Sequence, residues 1–144
     1  MIYKDVGALL SEQQTLTMTG KASVLDAAEQ MAERHIGAVP VMEDGQLVGL
    51  FTERDLLNRV VAVGRDPATV TLDQVMTRNP ITIRADQSLA FALDTMFGNN
   101  FRHLPVLDHA GALVGVMSCR DVPTTYRVLR ERWIEARAGL NSAA

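Results

Sequence analysis

The sequence predicts an α+β fold: two β-α-β-β-α repeats packed through their sheets about a pseudo-two-fold axis, with an N-terminal segment and a C-terminal helix outside them. Three observations carry this expectation. The chain matches itself at a fixed offset: Ser23, Ala27, Met31 and Pro40 stand 65 residues before Ser88, Ala92, Met96 and Pro105. After a turn the offset becomes 66, and Gly45, Leu47, Val48, Gly49, Arg54 and Asp55 precede Gly111, Leu113, Val114, Gly115, Arg120 and Asp121. Within each copy the apolar pattern changes from strand to helix and back. Finally, a unit of about 55 residues buries too little surface to stand comfortably alone, so two are expected to pair.

The elements follow in order. Asp5 to Leu10 reads as a short helix. Each copy then opens on a strand, Leu16-Thr17-Met18 or Ile81-Thr82-Ile83. A helix capped by Ser23 or Ser88 comes next, with Val24, Ala27, Ala28 and Met31, or Leu89, Ala92, Leu93 and Met96, at helical spacing. Ala38 to Met42 and His103 to Leu107 form the next strand, Leu47 to Phe51 and Leu113 to Met117 the one after it. The change of offset falls between them, where Glu43-Asp44-Gly45 becomes Asp108-His109-Ala110-Gly111; a hairpin loop absorbs an extra residue without moving the strands. A second helix is expected from near Thr52 or Ser118. Val75-Met76-Thr77-Arg78-Asn79-Pro80 enters the second copy, with a turn at Asn79-Pro80.

The division is therefore 1–66 for the N-terminal segment and first repeat and 67–144 for the second repeat and C-terminal helix, together one module. In the tail Tyr126, Leu129, Trp133, Ala136 and Leu140 share a helical stripe, suited to packing on this module or on a partner subunit; the Arg127 to Arg137 arginines read as a solvated face.

Composition narrows the function. The chain has 144 residues, 47% of them hydrophobic, and a net charge of −3, which gives no basic field for nucleic acid or an anionic membrane. One cysteine excludes an internal disulfide framework, and three histidines without ligand spacing give no zinc signature. The start lacks a signal-peptide pattern and no apolar run reaches the roughly 18 residues of a spanning helix. A cytoplasmic protein is expected. His35 and His109 read as bystanders, and the methionines as core filler. Cys119 stands at an expected helix start, where a thiolate is stabilised, so a redox switch is weighed against a bystander thiol.

The chemistry sits in the repeated Thr52-Glu53-Arg54-Asp55 and Ser118-Cys119-Arg120-Asp121. A hydroxyl followed three residues later by an acid is a helix-capping pattern, and capping alone can explain it. The same groups also suit a ligand: first-turn N–H donors and an arginine fork for phosphate, and a carboxylate for vicinal ribose hydroxyls. Recurrence of the arginine and of the proline-bearing strand in both copies favours the ligand.

Gly37-Ala38-Val39-Pro40-Val41, Asp44-Gly45 and Leu47 through Leu56 together resemble a cystathionine beta-synthase (CBS) domain, and Arg102-His103-Leu104-Pro105-Val106 through Asp121 resemble another. The resemblance covers roughly residues 10 to 123. It implies a CBS pair, or Bateman module, with two clefts related by the pseudo-two-fold that take adenosine ligands: AMP, ADP or ATP, with NAD or S-adenosylmethionine as further candidates. By that resemblance Asp55 and Asp121 hold ribose, Thr52 and Ser118 meet phosphate or ribose, and Arg54 and Arg120 face phosphate. The backbones of Gly37-Ala38-Val39 and Arg102-His103-Leu104, beside Pro40 and Pro105, read adenine, and Thr17 and Thr82 line the clefts. A flat homodimer is implied as well. Cys119 in place of Glu53, and Pro123 early in the last helix, depart from the first copy. With Arg102-His103 against Gly37-Ala38, the second cleft is favoured for a phosphate-bearing ligand. The expected function is a non-enzymatic regulatory module that senses an adenine nucleotide and signals to an unidentified partner protein. The alternative is a structural dimerisation module with no nucleotide ligand.

Overall fold

Ser23 and Ser88 start the two long helices as their chemistry requires: their side chains accept from the N–H of Asp26 at 3.0 Å and of Phe91 at 3.1 Å. In the computed structural model these helices are α2 (Val24–Arg34) and α5 (Leu89–Gly98). The structure describes residues 3–122, 128, 131–132 and 134–139. The other elements are α1 (Val6–Leu9), β1 (Met18–Thr19), β2 (Ala38–Glu43), β3 (Gln46–Thr52), α3 (Glu53–Leu56), α4 (Leu72–Val75), β4 (Thr77–Arg78), β5 (Ile83–Arg84), β6 (His103–Leu107) and β7 (Leu113–Ser118). A π-helical turn, Leu57–Val61, continues α3.

Two small sheets result, ordered β1-β2-β3-β4 and β5-β6-β7. Their registers repeat: Ala38 faces Thr52 as His103 faces Ser118, and both hairpins carry an irregularity after the matching valines, Val41 and Val106. Asp44 and Gly45 make the first turn with φ of 50° and 76°, the left-handed pair that a two-residue hairpin needs. The longer second turn is held by the Asp108 carboxylate, which accepts from Ala110 and Ala112 N–H at 2.9 Å. The α+β fold with paired sheets is thus as the sequence predicts, although the first strands begin two residues later than expected, at Met18 and Ile83.

Each repeat has its own core. In the first, Val24, Ala27 and Met31 pack on Val39, Val41 and Phe51; in the second, Leu89, Ala92, Leu93 and Met96 pack on Leu104, Val106 and Met117. The entry helices are exchanged. Val6 and Leu10 of the α1 segment lie in the second core, while Leu72, Val75 and Met76 at α4 lie in the first. Backbone bonds repeat the exchange: Val6 and Gly7 N–H donate to Gln87 and Ala85 carbonyls at 3.0 and 2.8 Å, as Leu72 and Asp73 N–H donate to those of Ala22 and Gly20, both at 3.0 Å. The segment from Val75 to Pro80 accordingly spends Thr77–Arg78 as a fourth strand on the first sheet before reaching the second.

Among the described residues the second sheet has no such strand, and Gln13 substitutes for it. Its side-chain amide donates to the Val116 carbonyl at 3.0 Å and accepts from the Val116 N–H at 2.9 Å, completing a two-point pairing on the edge of β7. The repeats meet through Ala38, Leu50 and Val116. The second helix of the second repeat, expected from near Ser118, does not begin there: residues 119–122 form a turn, because the chain leaves β7 without the full capping box that starts α3. Pro123 and the tail positions Tyr126, Leu129, Trp133 and Leu140 lie outside the described residues, and Ala136 is exposed. Among the described residues, no helix is long and apolar enough to cross a membrane.

Candidate functional site

The first motif closes as a full capping box. Thr52 Oγ1 accepts from the Asp55 N–H at 3.2 Å, while Asp55 Oδ2 accepts from the Thr52 N–H at 3.0 Å and from its hydroxyl at 3.1 Å. Asp55 is buried, and its Oδ1 faces Arg59 Nε at 3.5 Å. Arg59 in turn donates to the Val75 and Met76 carbonyls, both at 3.1 Å. The repeated motif does not include this arginine, although its spacing of four from Asp55 is the signal that marks it.

The second motif is looser. Asp121 is exposed and accepts from the Ser118 N–H at 2.7 Å; Ser118 Oγ accepts from the Arg120 N–H at 3.2 Å. Among the described residues the Asp121 carboxylate therefore keeps more of its acceptor capacity than that of Asp55.

Each motif opens on a cleft. The one beside Asp55 has a volume of about 600 Å3 and gathers Thr52, Arg54, Asp55 and Arg59 with Pro80, Ile81 and Asn100 through His103. Such a volume falls in the range of roughly 300–1,000 Å3 typical of small-molecule sites. The cleft beside Asp121 is tighter, about 170 Å3, and gathers Ser118 through Asp121 with Gln13 through Leu16, Gly37, Ala38, Pro40, Arg102 and His103. A groove of about 330 Å3 along α2 continues from it past His35, Ile36 and Gly37. The α2 and α5 segments end at matching left-handed positions, His35 (φ 55°) and Asn100 (φ 58°), which turn the chain into the clefts.

The structure thus brings Thr52, Arg54, Asp55, Arg102 and His103 to one cleft and Gly37, Ala38, Pro40, Arg102, His103, Ser118, Arg120 and Asp121 to the other. Val39 and Leu104 send their side chains into the cores, and Pro105 is buried. Thr17 and Thr82 line neither cleft; Thr15 and Leu16, and Pro80 and Ile81, take those places. The reason is the late start of the ladder at Met18 and Ile83, which leaves the preceding residues to cross the cleft mouths. Arg102, expected to favour the second cleft, stands on the wall between the two.

His103 occupies that wall where the repeat would place the counterpart of Ala38. A Cβ on Gly37 would lie 2.9 Å from His103 Nε2 and 3.0 Å from Glu53 Oε1, so glycine here admits both side chains. Burial lowers the His103 pKa below 6.5; Glu53 and Asp121 oppose the shift, and Arg120 and Arg102 reinforce it. Burial thus favours the neutral imidazole. Arg54 Nη1 reaches the Asn100 carbonyl at 3.4 Å, and Cys119, half-buried, donates its N–H to the Arg102 carbonyl at 3.0 Å. Among the described residues no group of three or more His, Cys, Asp or Glu is placed to hold a metal ion.

Twin repeats, matched hairpin registers and two clefts each headed by a hydroxyl-x-x-Asp motif define a tandem CBS module, and the chain belongs to the CBS domain family, whose model matches residues 6–62 and 72–122. It is similar to the CBS domain-containing protein YhcV of Bacillus subtilis, 33% identical over 109 residues that make up 76% of either chain. Among solved structures it resembles a CBS domain protein from Pyrobaculum aerophilum complexed with AMP (27% identity, TM-score 0.74, 81% of this chain and 88% of that one). It also resembles the CBS domain pair of protein MJ0100 in complex with 5′-methylthioadenosine and S-adenosyl-L-methionine (25% identity, TM-score 0.75, 85% and 98%). Several other curated relatives are far longer: the chain spans 16% of the Meiotically up-regulated gene 70 protein of Schizosaccharomyces pombe, to which it is 34% identical over 114 residues.

Proposed function

We propose that this chain is a cytoplasmic, non-enzymatic regulatory module that binds an adenine nucleotide between its repeats and passes the occupancy to a partner protein. The observation that carries the reading is the cleft of about 600 Å3 in which a hydroxyl, a buried carboxylate and three arginines converge: Thr52, Asp55, Arg54, Arg59 and Arg102. A ribose diol needs the acceptor, and a phosphate needs the guanidinium forks. Solved relatives in complex with AMP, 5′-methylthioadenosine and S-adenosylmethionine support an adenosine ligand. Room and charge favour the Asp55 cleft for a phosphate-bearing one. Occupancy reaches the partner as a shift in the relative disposition of the repeats, because each cleft is lined by both of them. Exposed Leu57, Val61 and Val63, just after the Asp55 motif, support association into a homodimer.

One observation favours the purely structural alternative: the Asp55 carboxylate is already engaged by Thr52 and Arg59, as a capping role alone would have it. Calorimetric titration of nucleotide-stripped protein with AMP, ADP, ATP, NAD and S-adenosylmethionine separates the two, with the same titrations on Asp55→Ala and Asp121→Ala. Saturable binding that either variant weakens supports the sensing module. Silence from all five ligands, together with a dimer by light scattering, selects the structural one.

A further inference from the structure

The two clefts are related by the repeat, but the wall between them is not duplicated. Glu53, Arg102 and His103 line both. Their counterparts in the other repeat are Cys119, Gly37 and Ala38, so one guanidinium serves two clefts. Arg102 is exposed, and among the described residues its side chain has no hydrogen-bond or ion-pair partner, which leaves it free to turn to either side. Arg54 and Arg120 each belong to a single one of these two clefts. Set Arg102 aside and the clefts differ. Among the described residues the Asp55 cleft keeps Arg54 and Arg59 against Glu53 and Asp55, whereas the Asp121 cleft keeps Arg120 against Glu53 and Asp121, a net negative charge. A phosphate entering the second cleft without Arg102 meets an unfavourable field.

We propose that the clefts compete for Arg102: a nucleotide phosphate in the Asp55 cleft takes the guanidinium, and the Asp121 cleft fills afterwards without it and more weakly. The chain then holds one phosphate-bearing ligand tightly and a second loosely, and occupancy of one cleft is felt in the other. This rests on the nucleotide-binding reading above. The same single cation gives a selectivity rule, because a ligand lacking phosphate has no use for it.

The test is a two-site calorimetric titration with AMP of the unaltered protein and of Arg102→Ala. Arg102 is exposed, so the variant is expected to fold, and its thermal midpoint without ligand checks this. Competition predicts that the first binding event weakens by about tenfold or more, within the usual span of site-to-site coupling, while the second is unchanged. Adenosine should bind alike to both proteins. Two events weakened alike, or neither weakened, overturns the competition. Two equal and independent AMP sites in the unaltered protein overturn it while leaving the nucleotide reading intact. No AMP binding at all removes both.

Discussion

Asp55→Ala and Asp121→Ala occupy matching positions and should nevertheless differ in cost by about 2 kcal/mol. At Asp55 the substitution removes the acceptor for the Thr52 N–H and hydroxyl and the partner of Arg59, from a residue only 7% exposed. Loss of a cap costs about 1 kcal/mol, and a charge-assisted hydrogen bond with its donor left half-buried about 1.5–3 kcal/mol. The ion pair adds a few tenths at most, because Arg59 is half exposed. These terms overlap, and the loss should total about 2–4 kcal/mol. At Asp121 the described residues lose a single bond, from the Ser118 N–H to an exposed carboxylate, for about 0.5–1 kcal/mol. Urea unfolding of the ligand-free proteins measures both, with the m-value as a check that the same surface is exposed on unfolding. Equal losses, or a greater loss at Asp121, would refute the assignment of a structural pairing to the first motif alone. The outcome also decides how nucleotide titrations are read: a binding defect in Asp55→Ala counts only where the variant remains folded.

Gln13→Ala should destabilise the protein by about 1–2 kcal/mol, since it leaves the Val116 N–H and carbonyl on the β7 edge without their partner. Gly115→Ala should do similar harm because its Cβ would collide with Gln13 Oε1, and a double-mutant cycle by urea unfolding should show the second change costing less once Gln13 is gone; strict additivity would contradict the contact. For His103, burial holds the folded-state pKa below 6.5, so the unfolded chain binds the proton first as pH falls. Stability should therefore decline below about pH 6.5 and continue to do so until the folded imidazole also titrates, by at most about 1.4 kcal/mol per pH unit from this one group. His103→Gln should flatten that part of the curve, and an unaltered slope between pH 5 and 7 would exclude His103 as its source.

What the sequence discloses and what it withholds divide along the range of the interactions. The Asp44-Gly45 turn and the caps at Ser23, Ser88 and Thr52 are local, made within two or three residues, and their residue types state the geometry directly. The exchange of α1 and α4 is not local. Val6 and Leu10 have the same apolar chemistry as Leu72, Val75 and Met76, and nothing in either set names the core it enters. Gln13 is a polar residue in an irregular segment, and the only mark of its role is a glycine at 115, where a Cβ would obstruct it. The cleft residues between 13 and 16 and at 80 and 81 stand before the expected Thr17 and Thr82 because strand onset depends on pairing with β2 and β6, which periodicity does not fix. The motif arginines and aspartates are legible, yet the burial of Asp55 is not, since it depends on Arg59, which the repeated motif does not include.

The exchange of entry helices bears on how a bound ligand is felt. Each core is completed by a helix from beyond the linker: Val6 and Leu10 serve the second repeat from its far end, and Leu72 and Val75 close the first. Neither repeat can swing away as a rigid body without drawing a helix out of the other's core, so large hinge motions are costly. In the wall between the clefts His103 is packed against Gly37, while exposed Arg102, whose side chain has no hydrogen-bond or ion-pair partner among the described residues, remains free to turn. A ligand shifts an equilibrium only through differential contacts with its states. Arg102, shared by both clefts and held by neither, is where such differences can arise without breaking the cores.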